Sequence, residues 1–393
     1  MNNTSQPYRV LIALTCLVYV AGPLEAAPPT FKKIRIGEHR SEACGVADFN
    51  NDGKLDIVAG EYWYEAPAWT AHQFRKFERQ VADDGKGYRD DFMNAPIDVD
   101  GDGHMDVVTA CWFAKQLRVY HNTGETGAWP MTPAGTENGN HETGHLCDVD
   151  GDGKANEILP DTKQTSWLEP AIVDGKRQLV EYEVSAKAMP FGAGVGDING
   201  DGRQDILRPK AWFEAPADPR KGTWTEHPLS LGGKDGKSGH TAQILVYDIN
   251  KDGRNDIVAS AAHHHGIFWY EQQADNTWTQ HTIDDSWTQA HSLSLNDIDQ
   301  DGDLDLVAGK RFMAHNGNDP DAHGALGVYW YELERSATPA WNKHVISYDE
   351  GIGSGVNLCV VDMDNDTDLD VVVTGKWGGP VLFENQAVTK TAE

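Results

Sequence analysis

Seven short stretches of this sequence gather carboxylates and carboxamides at a spacing that suits one chemistry, the binding of a hard divalent cation. The pattern Asp-x-[Asp/Asn]-x-Asp-[Gly/Thr]-x-x-[Asp/Asn] begins at Asp48, Asp98, Asp148, Asp197, Asp248, Asp297 and Asp362. Side chains at positions 1, 3, 5 and 9, with a backbone carbonyl near position 7, supply the roughly six to eight oxygens that calcium takes. The predicted ligands are Asp48, Asn50, Asp52 and Asp56 in the first loop, Asp98, Asp100, Asp102 and Asp106 in the second, and Asp148, Asp150, Asp152 and Asn156 in the third. They continue as Asp197, Asn199, Asp201 and Asp205, then Asp248, Asn250, Asp252 and Asp256. The last two sets are Asp297, Asp299, Asp301 and Asp305, and Asp362, Asp364, Asp366 and Asp370. Asn156 in place of an acid predicts a weaker third site. Thr367, where the other loops carry a sharply turning glycine, predicts a less regular seventh. An EF-hand opens in the same way but needs a glutamate at position 12, where this chain has Ala59, Thr109, Leu159, Arg208, Ala259, Ala308 and Val373.

A second chemistry is suggested by histidines and basic residues. His240, His263, His264, His265 and His291 are expected to act as acid, base or ligands to one zinc-like ion, because imidazole titrates near neutrality and is the commonest metal ligand. Lys310, Arg311 and Lys376 are expected to hold an anionic or carbonyl oxygen. By contrast His227, His281 and His344 recur at one place in the repeats, each three residues after a tryptophan, and read as structural.

These residues have to be positioned by the elements between the loops. Successive loops start 50, 50, 49, 51, 49 and 65 residues apart. Each follows a short apolar stretch and precedes a β-branched run such as Ile57-Val58-Ala59 or Val371-Val372-Val373. An aromatic segment closed by glutamate comes next, as in Trp63-Tyr64-Glu65 and Trp330-Tyr331-Glu332, and then an alternating segment such as Trp278-Thr279-Gln280-His281. Four short strands per repeat, seven times over, predict an all-β seven-bladed β-propeller of four-stranded antiparallel blades. The last repeat stops after its third strand near Asn385, while the chain offers a stray strand at Phe31-Lys32-Lys33-Ile34-Arg35-Ile36. That strand is predicted to complete the seventh blade and close the ring, leaving no exposed edge. Antiparallel order puts the aspartate loops on one face. The segments leading into strand one, and the loops joining strands two and three, fall on the other. The second face holds His39, Arg40, Asp90, Asp91, His141, Glu142 and most of the histidines named above, and the 65-residue interval inserts Arg311–Ala325 there.

The remaining features bound the setting. The 393 residues carry a formal net charge of −28, which excludes nucleic acid as a partner because a phosphate backbone needs a basic face. The nine-residue loops hold 26 of the 61 acidic residues, so seven structural calcium ions would neutralise 14 of those 28 charges. Arg9, the apolar Val10–Val20 and the small residues near Ala26 predict a cleaved export leader over 1–26, with the propeller over 27–386 and a disordered tail over 387–393. No later segment has the ~18 apolar residues of a transmembrane helix, so a secreted or periplasmic location is expected. Cys44, Cys111, Cys147 and Cys359 form no CxxC pair and read as small buried side chains.

The loops, the strand behind each and the seven-fold count resemble the FG-GAP/VCBS repeat propellers, which implies a calcium-binding propeller and leaves activity open. More loosely, the chain resembles the propeller part of fungal aldos-2-ulose dehydratase and its bacterial relatives. The likeness is carried by Trp63-Tyr64-Glu65-Ala66-Pro67, Gly144-His145-Leu146-Cys147-Asp148, His263–Glu271 and the His315–His323 insertion. It implies metal-assisted β-elimination of water from a keto-sugar, although the additional domains of the fungal enzyme are missing. The alternative is a non-catalytic propeller that docks glycans or a protein through the same face.

Overall fold

Runs such as Ile57-Val58-Ala59 are apolar at every position because the middle of each blade is covered on both sides by its neighbours. The computed structural model describes residues 28–137, 139–232 and 239–387. Blade 1 is built of Cys44–Ala47, Asp56–Ala59, Tyr62–Glu65 and Thr70–Gln73, and blade 2 of Met93–Ile97, Asp106–Ala110, Leu117–Tyr120 and Met131–Ala134. Blade 3 comprises Thr143–Cys147, Glu157–Asp161, Thr165–Val173 and Lys176–Ser185, and blade 4 Gly194–Gly196, Asp205–Arg208, Ala211–Glu214 and Thr225–Pro228. Blade 5 has Leu245–Tyr247, Asp256–Ser260, His265–Gln272 and Trp278–Thr288, and blade 6 Ala290–Asn296, Asp305–Lys310, Gly327–Glu334 and Ala340–Tyr348. Each of these six blades is a four-stranded antiparallel sheet in sequence order. The one helical element among the described residues is a short 3₁₀ turn at Ala314–Gly317.

Blade 7 breaks the sequence order as expected. Cys359–Val361, Asp370–Val373 and Val381–Asn385 are completed by the N-terminal strand Phe31–Arg35, in register from Phe31 opposite Asn385 to Arg35 opposite Val381. The seven-bladed ring is therefore closed by its own N-terminal strand. The leader expected over 1–26 and, apart from Ala387, the tail over 387–393 lie outside the described residues.

The core is divided among the spaces between blades. Phe49, Val58 and Trp63 of blade 1 pack on Val107 and Tyr120 of blade 2, and Ile57 and Tyr64 pack on Val372 and Leu382 of blade 7. Outer strands are the more exposed ones, and in four blades the outermost pair carries the same lock. Trp63, Trp212, Trp269 and Trp330 stand opposite His72, His227, His281 and His344 and stack on them at centroid separations of 4.3, 4.0, 4.3 and 4.2 Å. Each histidine Nε2 lies 2.8 or 2.9 Å from the glutamate two residues after the tryptophan. The recurrent histidines are thus cross-strand struts.

Candidate functional site

The aspartate loops share one construction. In loop one, Asp48 Oδ1 accepts the Asp52 amide at 3.1 Å and Oδ2 the Gly53 amide at 2.8 Å, while Asn50 and Asp52 accept the amides two residues ahead. Position 6 takes φ values from 82° to 94° in all seven loops, Thr367 included at 82°. The seventh loop keeps its bonds, Asp366 N to Asp362 Oδ1 at 3.1 Å and Thr367 N to Oδ2 at 3.0 Å, so the threonine holds a conformation that β-branched residues rarely adopt.

Position 9 differs from the other three. Asp56, Asp106, Asp205, Asp256, Asp305 and Asp370 are buried. In each, one oxygen accepts the amide of loop position 2 and the other an amide at the end of strand three or just past it, as Asp305 does from Ile298 at 3.0 Å and Leu333 at 2.9 Å. This carboxylate staples the loop to its own sheet. In blade 3 the staple is not Asn156 but Glu157, whose longer side chain reaches the Val149 amide at 2.8 Å. Sequence reasoning missed Glu157 because it stands one place out of register with the repeat.

The loop donors fit calcium in kind: oxygens of Asp98, Asp100 and Asp102, and of Asp148, Asp150 and Glu157, lie within 4.8 Å of one another. Cations of the chain already neutralise some of them. Lys54 reaches Asp52 at 2.9 Å, Arg203 and Arg254 contact Asp201 and Asp252, and Arg220 reaches across from blade 4 to Asp150 at 2.6 Å. Loops six and seven carry Asp303 and Asp368 at position 7 instead of a base.

On the opposite face, segments from blades 1, 3, 5 and 6 meet. The strand-one approaches contribute Glu42, Glu142 and His291, the strand 2–3 turn of blade 5 contributes His263, and the blade 6 insertion contributes His315 and Asp319. Asp319 takes Nδ1 of His263 at 2.9 Å on one oxygen and Nδ1 of His315 at 2.7 Å on the other. Both rings therefore donate from Nδ1 and present an Nε2 lone pair, the arrangement by which a carboxylate orients metal-binding or proton-transferring imidazoles. The two rings stack at 4.2 Å, and His291 stands edge-on to His263 at 4.9 Å. Burial pushes the Asp319 carboxyl up, but the two histidines outweigh it and hold it well below the usual carboxylate range. The same bond raises His315. His291 is held well below the ordinary imidazole value by burial and by Arg311.

Arg311 lies at the bottom of this group. Nη1 donates to Glu142 Oε1 at 3.1 Å and to His291 Nε2 at 3.2 Å, and Nη2 donates to Glu42 Oε2 at 3.2 Å. Glu42 Oε1, Arg311 Nε and His291 Nδ1 are all buried without a hydrogen-bond partner among the described residues, an unusual concentration at one place. Ligand atoms of Glu142, His263 and His291 lie within 4.8 Å of one another, as do those of His263, His315 and Asp319. Two imidazoles and a carboxylate, with a further carboxylate fixing ring orientation, form a donor set that fits a zinc-like divalent ion. The group opens into a cavity of about 180 Å³ walled by Tyr88, Phe92, Trp112 and Phe113, with Glu142, Arg311 and His315 on its polar side.

The expected site residues separate into two groups. His263, His291 and Arg311 converge, and His240 stands nearby, its Nδ1 accepting from the Phe191 amide at 3.2 Å and its pKa lowered by burial. His264 and His265 are exposed on the same turn, with His265 Nδ1 facing the Asp285 carbonyl at 3.2 Å. Lys310 is buried and anchors the insertion through Asp321, at 2.9 Å to its carbonyl and 2.8 Å to its carboxylate. Lys376 is buried too, donating to the Gly87 and Met313 carbonyls at 3.1 and 2.7 Å beneath the Tyr88 ring. Both lysines tie loops together. From sequence, Glu142 and His315 were placed on this face without a role in the site, and Asp319 was not singled out. The signal for two of them was there, a His-x-x-x-Asp pair within the one long insertion.

Residues 98–156 and 221–308 match the FG-GAP-like repeat family. The chain is thus a seven-bladed β-propeller with FG-GAP-like repeats. No curated protein matches it. Among solved structures it is similar to an Agrocybe aegerita lectin described as recognising non-reducing terminal N-acetylglucosamine, with 16% identity, TM-score 0.35, and coverage of 85% of this chain and 75% of that one. It is also similar to the extracellular domain of a hybrid two-component system protein from B. thetaiotaomicron, with 12% identity, TM-score 0.49, and coverage of 90% of this chain and 39% of that one. No helix among the described residues is long and apolar enough to cross a membrane.

Proposed function

We propose that this propeller is an exported, calcium-stiffened carbohydrate-active lyase that eliminates water from a keto-sugar at the channel mouth. The observation that carries the reading is the Asp319-oriented pair His263 and His315 beside Glu142 and His291, opening into an aromatic-walled cavity. Aromatic faces suit the apolar side of a sugar ring. The cavity is smaller than the roughly 300–1,000 Å³ of a drug-sized pocket, so it takes a monosaccharide or one end of a longer glycan. His263, His291 and Glu142 would hold one divalent ion, which when bound supplies electrophilic polarisation of the sugar carbonyl. His315 lines the cavity and is kept basic by Asp319, so its Nε2 is placed to take the proton α to that carbonyl. Arg311 fixes the Glu142 and His291 side chains through its bonds to Oε1 and Nε2, bonds that a bound ion would have to displace at His291, and Phe92, Tyr88 and Trp112 exclude water. In the loops, Asp and Asn side chains at positions 1, 3 and 5 would hold structural calcium, with the position 9 carboxylates stapled behind them.

Elemental analysis with a substrate assay tests this. Calcium plus one zinc-like ion per chain is expected, with growth of enone absorbance on keto-sugars such as 1,5-anhydrofructose. His291→Ala and Glu142→Gln should remove the extra ion, leave the calcium and abolish turnover. The aromatic walls also suit a glycan-binding propeller without chemistry. Calcium alone, with sugars bound and unchanged, would establish that reading and refute the enzyme.

A further inference from the structure

The ring is joined where its first and last blades meet, and the two sides of that seam carry a pair of cysteines. Cys44 lies on the inner strand of blade 1 and Cys359 on the inner strand of blade 7, 315 residues apart in sequence. Their Sγ atoms are 3.8 Å apart. The two strands belong to different sheets and share no ladder. They are held together by Asn357, whose Oδ1 accepts the Cys44 amide at 3.0 Å and whose Nδ2 donates to the Cys44 carbonyl at 2.9 Å. An asparagine acting as a one-residue strand partner fixes the backbone on both sides, and Cys359 follows it by two residues on the same side. Cys359 Sγ also lies 3.8 Å from the Cys44 carbonyl. The other two cysteines of the described chain are elsewhere, Cys111 against Asp90 at 3.5 Å and Cys147 against carbonyls of blade 3.

We infer that Cys44 and Cys359 are a disulfide-forming pair that covalently locks the propeller at its seam. A disulfide needs its sulfurs about 2.05 Å apart, and rotation of the two side chains is the movement that brings sulfurs 3.8 Å apart to that distance. The reaction is thiol–disulfide exchange with a small or protein disulfide such as oxidised glutathione. The half-buried Cys359 attacks as the thiolate and expels one oxidant thiol, and Cys44 then loses its proton and displaces the second. Two protein thiols become one disulfide while the oxidant is reduced to two thiols. The bond with Cys359 and burial push the Cys44 thiol well up, so in the folded ring the second step is slow, and the bond forms most readily as the seam closes during folding. The lock matters because the other closure, five residue pairs between Phe31–Arg35 and Val381–Asn385, is non-covalent. A cross-link enclosing so long a loop constrains the unfolded chain strongly.

The test is refolding of the chain from denaturant with oxidised glutathione or with a reducing agent, followed by alkylation and peptide mapping. One cross-link joining the Cys44 and Cys359 peptides is expected, with Cys111 and Cys147 alkylated and a melting temperature higher by roughly 5 °C than in the reduced protein. The Cys44→Ser/Cys359→Ser double variant should lose that redox-dependent shift. If the variant does not fold, the mapping of the wild type decides alone. Alkylation of both seam cysteines after oxidative refolding, or a cross-link to Cys111 or Cys147, overturns the inference. The result does not depend on the chemistry at the channel mouth.

Discussion

Replacing Asp305 by asparagine separates two roles that the aspartate loops combine. Asp305 is 1% exposed and each of its oxygens accepts one buried amide, Ile298 at 3.0 Å and Leu333 at 2.9 Å. Asparagine supplies one acceptor and turns its NH₂ toward the second amide, leaving a buried donor unsatisfied at about 1–3 kcal/mol. The surviving bond also loses charge assistance, roughly another 1 kcal/mol. Against this, burial already pushes the Asp305 carboxyl up to about 7, so the neutral amide avoids part of a desolvation cost. The net expectation is a loss of about 2–3 kcal/mol, present in chelator and in calcium alike. Asp297→Asn at position 1 of the same loop acts on less buried groups. It should cost about 1 kcal/mol or less in chelator and more when calcium is present. Urea unfolding followed by tryptophan fluorescence, with EDTA and with excess calcium, gives all four numbers. A loss for Asp305→Asn that shows only in calcium would refute the staple and make position 9 a ligand first.

Thr367→Gly should stabilise by about 1 kcal/mol in urea unfolding, because the relief of a β-branched residue at φ 82° exceeds the extra glycine entropy, and a loss would sink the strain argument. Lys376 has a pKa lowered by burial from 10.5 to about 8. Native protein then releases this proton near pH 8 and unfolded chain near 10.5, so stability relative to Lys376→Met should rise with pH across that window, by up to ~1.4 kcal/mol per unit. A flat difference would show that the ammonium is not desolvated. Deleting residues 28–36 exposes the edge of Val381–Asn385 and should lower the unfolding midpoint and yield oligomers in size-exclusion chromatography, and an unchanged monomer would contradict closure by that strand. Chelator should lower the melting temperature of the wild type in thermal unfolding followed by tryptophan fluorescence, and an unchanged midpoint would refute structural calcium in the loops.

The ring was legible in the sequence because its information is local and repeated. Each Asp-x-[Asp/Asn]-x-Asp turn fixes a hairpin, each β-branched run fixes a buried strand, and seven near-equal spacings fix the blade count. The unpaired Phe31–Arg35 strand and a last repeat short by one strand determined the closure. What the repeat could not encode was the exception to it. Glu157 replaced Asn156 as a staple only because a longer side chain reached the same amide from the next residue. The mouth was decided by tertiary structure alone, since Glu142, His263 and the pair His291 and Asp319 come from blades 3, 5 and 6 and meet only when the ring closes. Lys310 and Lys376 looked from their charge like anion holders. Burial beneath the insertion and the Tyr88 loop instead gave them backbone carbonyls as partners, with the Asp321 carboxylate added for Lys310, because a desolvated ammonium must take whatever acceptors the fold brings within reach.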